Sequence, residues 1–248
     1  MALAARLDAV ADLNQAQRAA MLGLLQRHFA GVDSATFAAD LAAKSHVLRL
    51  LDDDRLLGMS CLDYRRHDFG ECHEGRGGLL YSGDTVVDPA AWAAVELGPV
   101  WAAAVLALHQ QSGRGPLWWL LLTSGLRTYR YLSVCVARYA PAPAERLDAQ
   151  AQALLPQLAA ARFAAAFDPA SGLVRLAQPQ TLRAHLELAP AHQCRDPAST
   201  FFLARNPGAA AGDELVSCCR FSEDNLTRAG QLALRRGRAL WAREALPA

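Results

Sequence analysis

Lysine is nearly missing from this chain. Lys44 is the only one among its 25 Lys and Arg residues, so almost all positive charge rides on guanidinium groups. Alanine and leucine are abundant beside it, and the coding bias of a GC-rich genome accounts for the pattern; a demand for guanidinium belongs to single positions. An excess of one charge is missing too. The formal net charge is +1, which gives no basic field for a nucleic-acid backbone. Long apolar runs are absent: the most apolar stretch, Ala90 to Leu108, is broken by Glu96, Gly98 and Pro99 and reads as a buried helix, not a membrane span. The six cysteines (Cys61, Cys72, Cys135, Cys194, Cys218 and Cys219) contain no CxxC pair. A chain of 248 residues needs no covalent staples, so they read as reduced thiols of a cytoplasmic protein. Met1 to Leu13 lacks an apolar signal-peptide core and carries Asp8 and Asp12. GxSxG, Walker and GxGxxG sequences are absent.

With 52 % hydrophobic and 20 % charged residues, the chain can bury a substantial interior. A first strand is expected over 6–12. Asn14 with Gln17 forms a capping box ahead of a helix through His28, and Ser34 caps a second helix. His46 to Leu51 and Leu56 to Tyr64 read as a hairpin about the acidic turn Asp52 to Arg55. Residues 65–78 read as an exposed polar loop. Leu79 to Val87 is the next strand, stopped by Asp88-Pro89 and followed by a helix over Ala90 to Gln111. Leu117 to Thr123 is wholly apolar and suits a strand covered on both faces. A helix over Arg127 to Tyr139 ends before Pro141. Ala144 to Ala166 is helical, 168–198 is loop-like with weak strands near Leu173–Leu176 and Leu186–Leu188, Glu214 to Phe221 is a late strand, and Asp224 caps a terminal helix. Helices between antiparallel strands do not alternate as a Rossmann winding would, so the expected fold is an α/β (α+β) mixed sheet. Residues 1–140 form its core. Residues 141–248 add a helical insertion, the late strand and the terminal helix, packed on the core as one unit.

That order, together with Thr85-Val86-Val87-Asp88-Pro89-Ala90-Ala91-Trp92-Ala93-Ala94-Val95-Glu96-Leu97-Gly98, resembles the GCN5-related N-acyltransferase superfamily, in which a strand leads into a helix whose N-terminus receives the pyrophosphate of coenzyme A. Thr123 to Leu132, Phe201 to Gly208 and Gly212 to Val216 are similar to an uncharacterised branch with a C-terminal extension. The phosphate loop is degenerate: the family's Gln/Arg-x-x-Gly-x-Gly/Ala is replaced by a window holding Trp92, Ala93, Ala94, Val95 and Leu97, and Trp92 and Val95 crowd the approach of backbone N–H groups to phosphate. The resemblance implies transfer of an acyl group from a coenzyme A thioester, or from a phosphopantetheine arm on an acyl carrier protein, to the amine of a small molecule. It implies no metal and leaves oligomeric assembly open. The alternative is a catalytically inactive module of this fold that binds a metabolite or an acyl carrier protein.

Site residues follow. The resemblance implies a tyrosine after Gly125 that protonates the leaving thiolate, here Tyr129 or Tyr131. Ser124, Arg127 and Arg130 are placed to hold phosphate or a substrate carboxylate. Val86 and Val87 offer backbone N–H groups to the thioester carbonyl. The densest polar cluster, His67 to Glu74, fits no standard zinc spacing, but Glu71, His73 or Glu74 can take the ammonium proton of an acceptor. Asp84, a charge within a strand that should face the thioester, is the other candidate. Trp92, Trp101, Trp118 and Trp119 are core residues or the lining of an acyl tunnel covered by 144–166. Cys218 and Cys219 should point to opposite faces of their strand and be buried as small hydrophobes.

Overall fold

The computed structural model describes residues 3–89, 91, 96–123, 125–183 and 196–244, with the side chains of Arg127, Arg243 and Glu244 left out. Its elements in chain order are β1 (Leu3–Ala9), α1 (Gln15–His28), β2 (Phe29–Ala30), α2 (Ser34–Ala42), β3 (His46–Asp52), β4 (Arg55–Asp68), β5 (Arg76–Val87), α3 (Leu97–Ser112), β6 (Leu117–Thr123), α4 (Leu126–Cys135), α5 (Ala149–Phe163), β7 (Phe167–Asp168), β8 (Leu173–Val174), β9 (Thr181–Leu182), α6 (Pro197–Arg205), β10 (Glu214–Arg220) and α7 (Arg228–Glu244). Eight strands form one sheet in the order β1-β3-β4-β5-β6-β10-β8-β7. Every neighbouring pair is antiparallel except β5 and β6, which run parallel across the α3 crossover. This is the mixed α/β sheet expected from the order of elements.

The apolar pattern explains the layers. Leu80, Trp119, Leu121, Leu215 and Cys219 face α3, α4, α6 and α7. Leu79, Tyr81, Trp118, Leu120 and Cys218 face α5. Val47, Met59 and Cys61 face α1 and α2. Strand periodicity thus divides neighbours in sequence between the two faces, Cys218 from Cys219 and Trp118 from Trp119. The tryptophans fill the interior on opposite sides of the sheet, so Trp101, Trp118 and Trp119 do not line one tunnel and α5 does not cover them jointly. Trp101 stacks on Trp119 at 4.5 Å between ring centroids, while Trp118 meets Phe69 on the far face.

Asn14 and Gln17 close the expected capping box. Several expectations shift. The first strand lies at Leu3–Ala9, and Val10–Asp12 is a 3-10 turn. Asp33, one residue before Ser34, caps α2 by accepting from the N–H groups of Ala35 and Thr36. The expected loop at 65–78 is mostly strand: Arg65 pairs with Leu79 and Asp68 with Arg76, and its polarity reflects an exposed hairpin end. Thr227 rather than Asp224 caps α7, its hydroxyl accepting from the Gly230 N–H. The helix expected from Ala90 is described only from Leu97, and the strand near Leu186–Leu188 lies outside the described residues. Among the described residues no helix is long and apolar enough to cross a membrane.

Residues beyond 140 are built into this sheet: β10 lies beside β6, and α7 rests along α3. Gly237 makes that helix contact. A Cβ there would stand 1.9 Å from the Pro99 carbonyl oxygen. Helix propensity alone predicts that Gly237→Ala adds about 1 kcal/mol. The close approach predicts the opposite sign, a loss of about 1–3 kcal/mol. Thermal unfolding should show a drop of several degrees, at roughly 2–4 °C per kcal/mol for this size.

Candidate active site

The break in the sheet lies at the C-terminal end of β5. Pairing with β6 runs from Gly78↔Leu117 to Ser82↔Leu121 and stops, although β5 continues to Val87. The strands part here. On the other edge, Cys61 pairs with Gly83 and Met59 with Val86, so Asp84 and Thr85 together oppose Ser60. This is a β-bulge, which bends a strand and re-aims a side chain. Asp84 adopts φ 45°, a left-handed conformation that aspartate tolerates better than most residues. Ser60 Oγ lies 2.8 Å from Thr85 Oγ1 and ties the bulge to β4.

The bulge brings Asp84 into a polar cleft on the α2/α5 side. From α2 comes Asp40, and from the turn just after it Lys44, whose Nζ donates to Asp40 Oδ2 at 2.6 Å. From β4 come the buried Cys61 thiol and Asp63, from β5 Tyr81, from α5 Arg162 and from β10 Glu214. Arg162 bonds Asp63 at 2.6 Å and lies over the Tyr81 ring, 3.7 Å from its centroid.

The charges set one another. Burial, then the Asp40 charge and a hydrogen bond with Asp40, push Asp84 up to about 7. Burial also works against ionised Asp40, but Lys44, the hydrogen bonds from Asp84 and Lys44, and Arg162 outweigh it and hold Asp40 below the ordinary carboxylate value. Its side chain keeps 47 % exposure. Burial and the Asp40 charge push Glu214 up to about 7 as well. Two carboxyl groups therefore titrate near neutrality beside the break in the sheet, which suits proton transfer.

The other expected residues fall elsewhere. Glu71 and His73 form a turn between β4 and β5, and Glu74 follows it and pairs with Arg220. From Arg76 to Asp84 the strand rises about 26 Å at roughly 3.3 Å per residue. The hairpin therefore stands at the opposite end of β5 and does not line the cleft. Tyr129 is fully buried, and its hydroxyl donates to the Pro141 carbonyl at 3.1 Å. Tyr131 donates to the Gly98 carbonyl at 2.9 Å in the first turn of α3. Burial pushes both phenols up. Arg130 faces a cavity of about 280 Å³, with Asp196 3.9 Å from its Nε. Val86 is buried in the ladder to β4, and the Val87 carbonyl lies 2.8 Å from His28 Nε2. Trp92, Ala93, Ala94, Val95, Ser124 and the Arg127 side chain lie outside the described residues. Among the described residues no three His, Cys, Asp or Glu side chains gather as a metal site requires.

Sequence reasoning named Asp84 but missed its neighbours. Only the spacing of Asp40 and Lys44, four apart in the chain, signalled a pair. Glu214 and Arg162 reach the cleft through β10 and α5, far along the chain. A strap over 176–183 spans from the end of β2 to the start of β10. Pro179 fits between Gly31 and Gly212, where a Cβ on either glycine would approach it at 3.2 and 2.5 Å, and the Arg183 N–H donates to the His28 carbonyl at 2.8 Å.

No protein-family model and no curated protein matches the chain. Solved structures do. An acyl-CoA N-acyltransferase from Pseudomonas aeruginosa is 22 % identical over 54 % of this chain and 89 % of its own, with a TM-score of 0.37. A GCN5-related N-acetyltransferase from Kribbella flavida is 17 % identical over 56 % of this chain, with a TM-score of 0.38. A conserved Enterococcus faecalis protein of unknown function is 13 % identical over 54 %, with a TM-score of 0.37. The match spans only 34 % and 33 % of the latter two chains.

A raised carboxyl makes stability fall with pH. Between about 4 and about 7 the folded chain holds an Asp84 proton that the unfolded chain has released, so stability is lost as pH rises through that window. Asp84→Asn removes the share of this dependence that Asp84 carries and leaves that of Glu214. From pH 5 to pH 8 the variant should gain on the wild type by roughly 1–2 kcal/mol, after allowing for water in the cleft. Melting curves that stay parallel across this range would show that Asp84 titrates as an ordinary carboxylate.

Proposed function

We propose that this chain is an acyltransferase of the GCN5-related N-acyltransferase type, moving an acyl group from a coenzyme A thioester to a small-molecule amine in a reducing compartment such as the cytoplasm. The observation that carries this reading is the break between β5 and β6 with a carboxyl titrating near 7 on the adjoining bulge. A thioester lying in the break presents its carbonyl to the backbone of β5, where an N–H group turned into the gap favours charge developing on oxygen. Ionised Asp84 takes a proton from the acceptor's ammonium group. The freed amine attacks the carbonyl carbon, the C–S bond breaks and the thiolate departs, while the proton that the nitrogen sheds on becoming an amide passes through water to the solvent or to the departing sulfur. The strap over 176–183 narrows the approach and favours a compact acceptor over a protein surface.

Proton return to sulfur is the smaller task. Tyr131 is the tyrosine left for it, and it would have to release the Gly98 carbonyl first. A phenol pushed above its ordinary value of about 10 is a reluctant donor to a thiolate near 8.5. Such a thiolate can leave unprotonated. Once an acceptor is in hand, Asp84→Asn should cost about 100-fold or more in turnover, and Tyr131→Phe less than about 10-fold. Equal losses would assign the chemistry differently.

The crowded phosphate window motivates a donor held through its pantetheine arm, as on a carrier protein. A thermal-shift titration with acetyl-CoA, longer acyl-CoAs and acyl-pantetheine separates the readings. A ligand at about 100 times its Kd adds about 2.7 kcal/mol. A shift with acyl-CoA supports the coenzyme donor, and a shift with acyl-pantetheine alone supports the carrier. No shift with any contradicts the transferase reading and favours a catalytically inactive binding module.

A further inference from the structure

Lys44 is the only lysine in a chain whose other Lys or Arg positions are all arginine, and it sits in the cleft. Its side chain is 0 % exposed. The ammonium donates to Asp40 Oδ2 at 2.6 Å, reaches the Asp40 carbonyl at 3.3 Å and lies 5.4 Å from the Tyr81 ring centroid. One carboxylate oxygen, one carbonyl and a ring face suit a compact group with three donors. A guanidinium is wider and brings five donors in a fixed fork, more than the surroundings offer.

We propose that Lys44 is the positioning residue of this site: it keeps Asp40 ionised and oriented, and Asp40 in turn holds Asp84 as the member of the pair that carries the exchangeable proton. The inference rests on the reading of Asp84 as the base. The elements around the pair contribute these groups: Asp40 from α2 and Lys44 from the turn after it, Cys61 and Asp63 from β4, Tyr81 from β5, Arg162 from α5 and Glu214 from β10. Arg162 is engaged by Asp63 and Tyr81, which leaves Lys44 as the cation bonded to the Asp40 carboxylate. Without it the cleft holds uncompensated carboxylates, and each gives up its proton less readily.

The test needs no substrate. Protein labelled with ¹³C at the aspartate carboxyl carbons is titrated by NMR, Asp84 is assigned through Asp84→Asn, and Glu214 stays silent. The wild type should show Asp84 titrating near neutrality. Lys44→Met should move that midpoint up by about a pH unit, and Lys44→Arg, which keeps the charge, by less. Should Lys44→Met fail to fold, Asp40→Asn gives the complementary readout: with the neighbouring charge removed, the Asp84 midpoint should fall by about a unit or more. A midpoint unmoved in Lys44→Met, or in Asp40→Asn, overturns the role of Lys44 while leaving Asp84 as the base. A wild-type Asp84 that titrates near 4 overturns the base itself.

Discussion

A carboxyl group placed against a break in a β-sheet must either find a counter-charge or keep its proton, and this protein does both with two neighbouring aspartates. Asp40 has Lys44 and stays ionised. Asp84, beside that charge and partly removed from water, keeps its proton to about pH 7. Moving either group to an open surface would return it to the ordinary carboxylate range. The proposed chemistry depends on this inequality between two side chains of the same type.

The fold makes that inequality stable. The β5 bulge turns Asp84 out of the ladder, at the cost of a left-handed backbone. The parallel β5–β6 pair ends five residues before β5 does, which opens the space that a thioester would occupy. The α2 helix and the turn after it supply Asp40 and Lys44 from one side, and α5 fixes Arg162 against Asp63 and Tyr81 from the other. Beneath them lies an apolar interior on both faces of the sheet, dense enough that Gly237 admits no Cβ.

Much of this was readable in the sequence. The run Leu117 to Thr123 is a covered strand, and Cys218 and Cys219 part across the sheet because alternate residues must. Asp84 stood out as a charge within a strand. What the sequence could not give was its company, since Asp40, Arg162 and Glu214 meet it only after the chain has crossed the sheet several times. Local polarity misled at 65–78, where an exposed strand end looks like a loop. The same polarity drew attention to Glu71, His73 and Glu74, which have the right chemistry at the wrong end of β5. Tyr129 was read from its place after Gly125, but helical phase turns it into the core against Phe202 and Tyr139.

The most direct test is a crystal structure of the protein with acetyl-CoA at pH 8, where Asp84 is ionised. The account predicts the thioester in the gap between β5 and β6, its carbonyl oxygen toward the β5 backbone and the Asp84 carboxylate facing the side from which an amine would approach. A well-ordered acetyl-CoA bound elsewhere, with the gap closed by side chains, would contradict it.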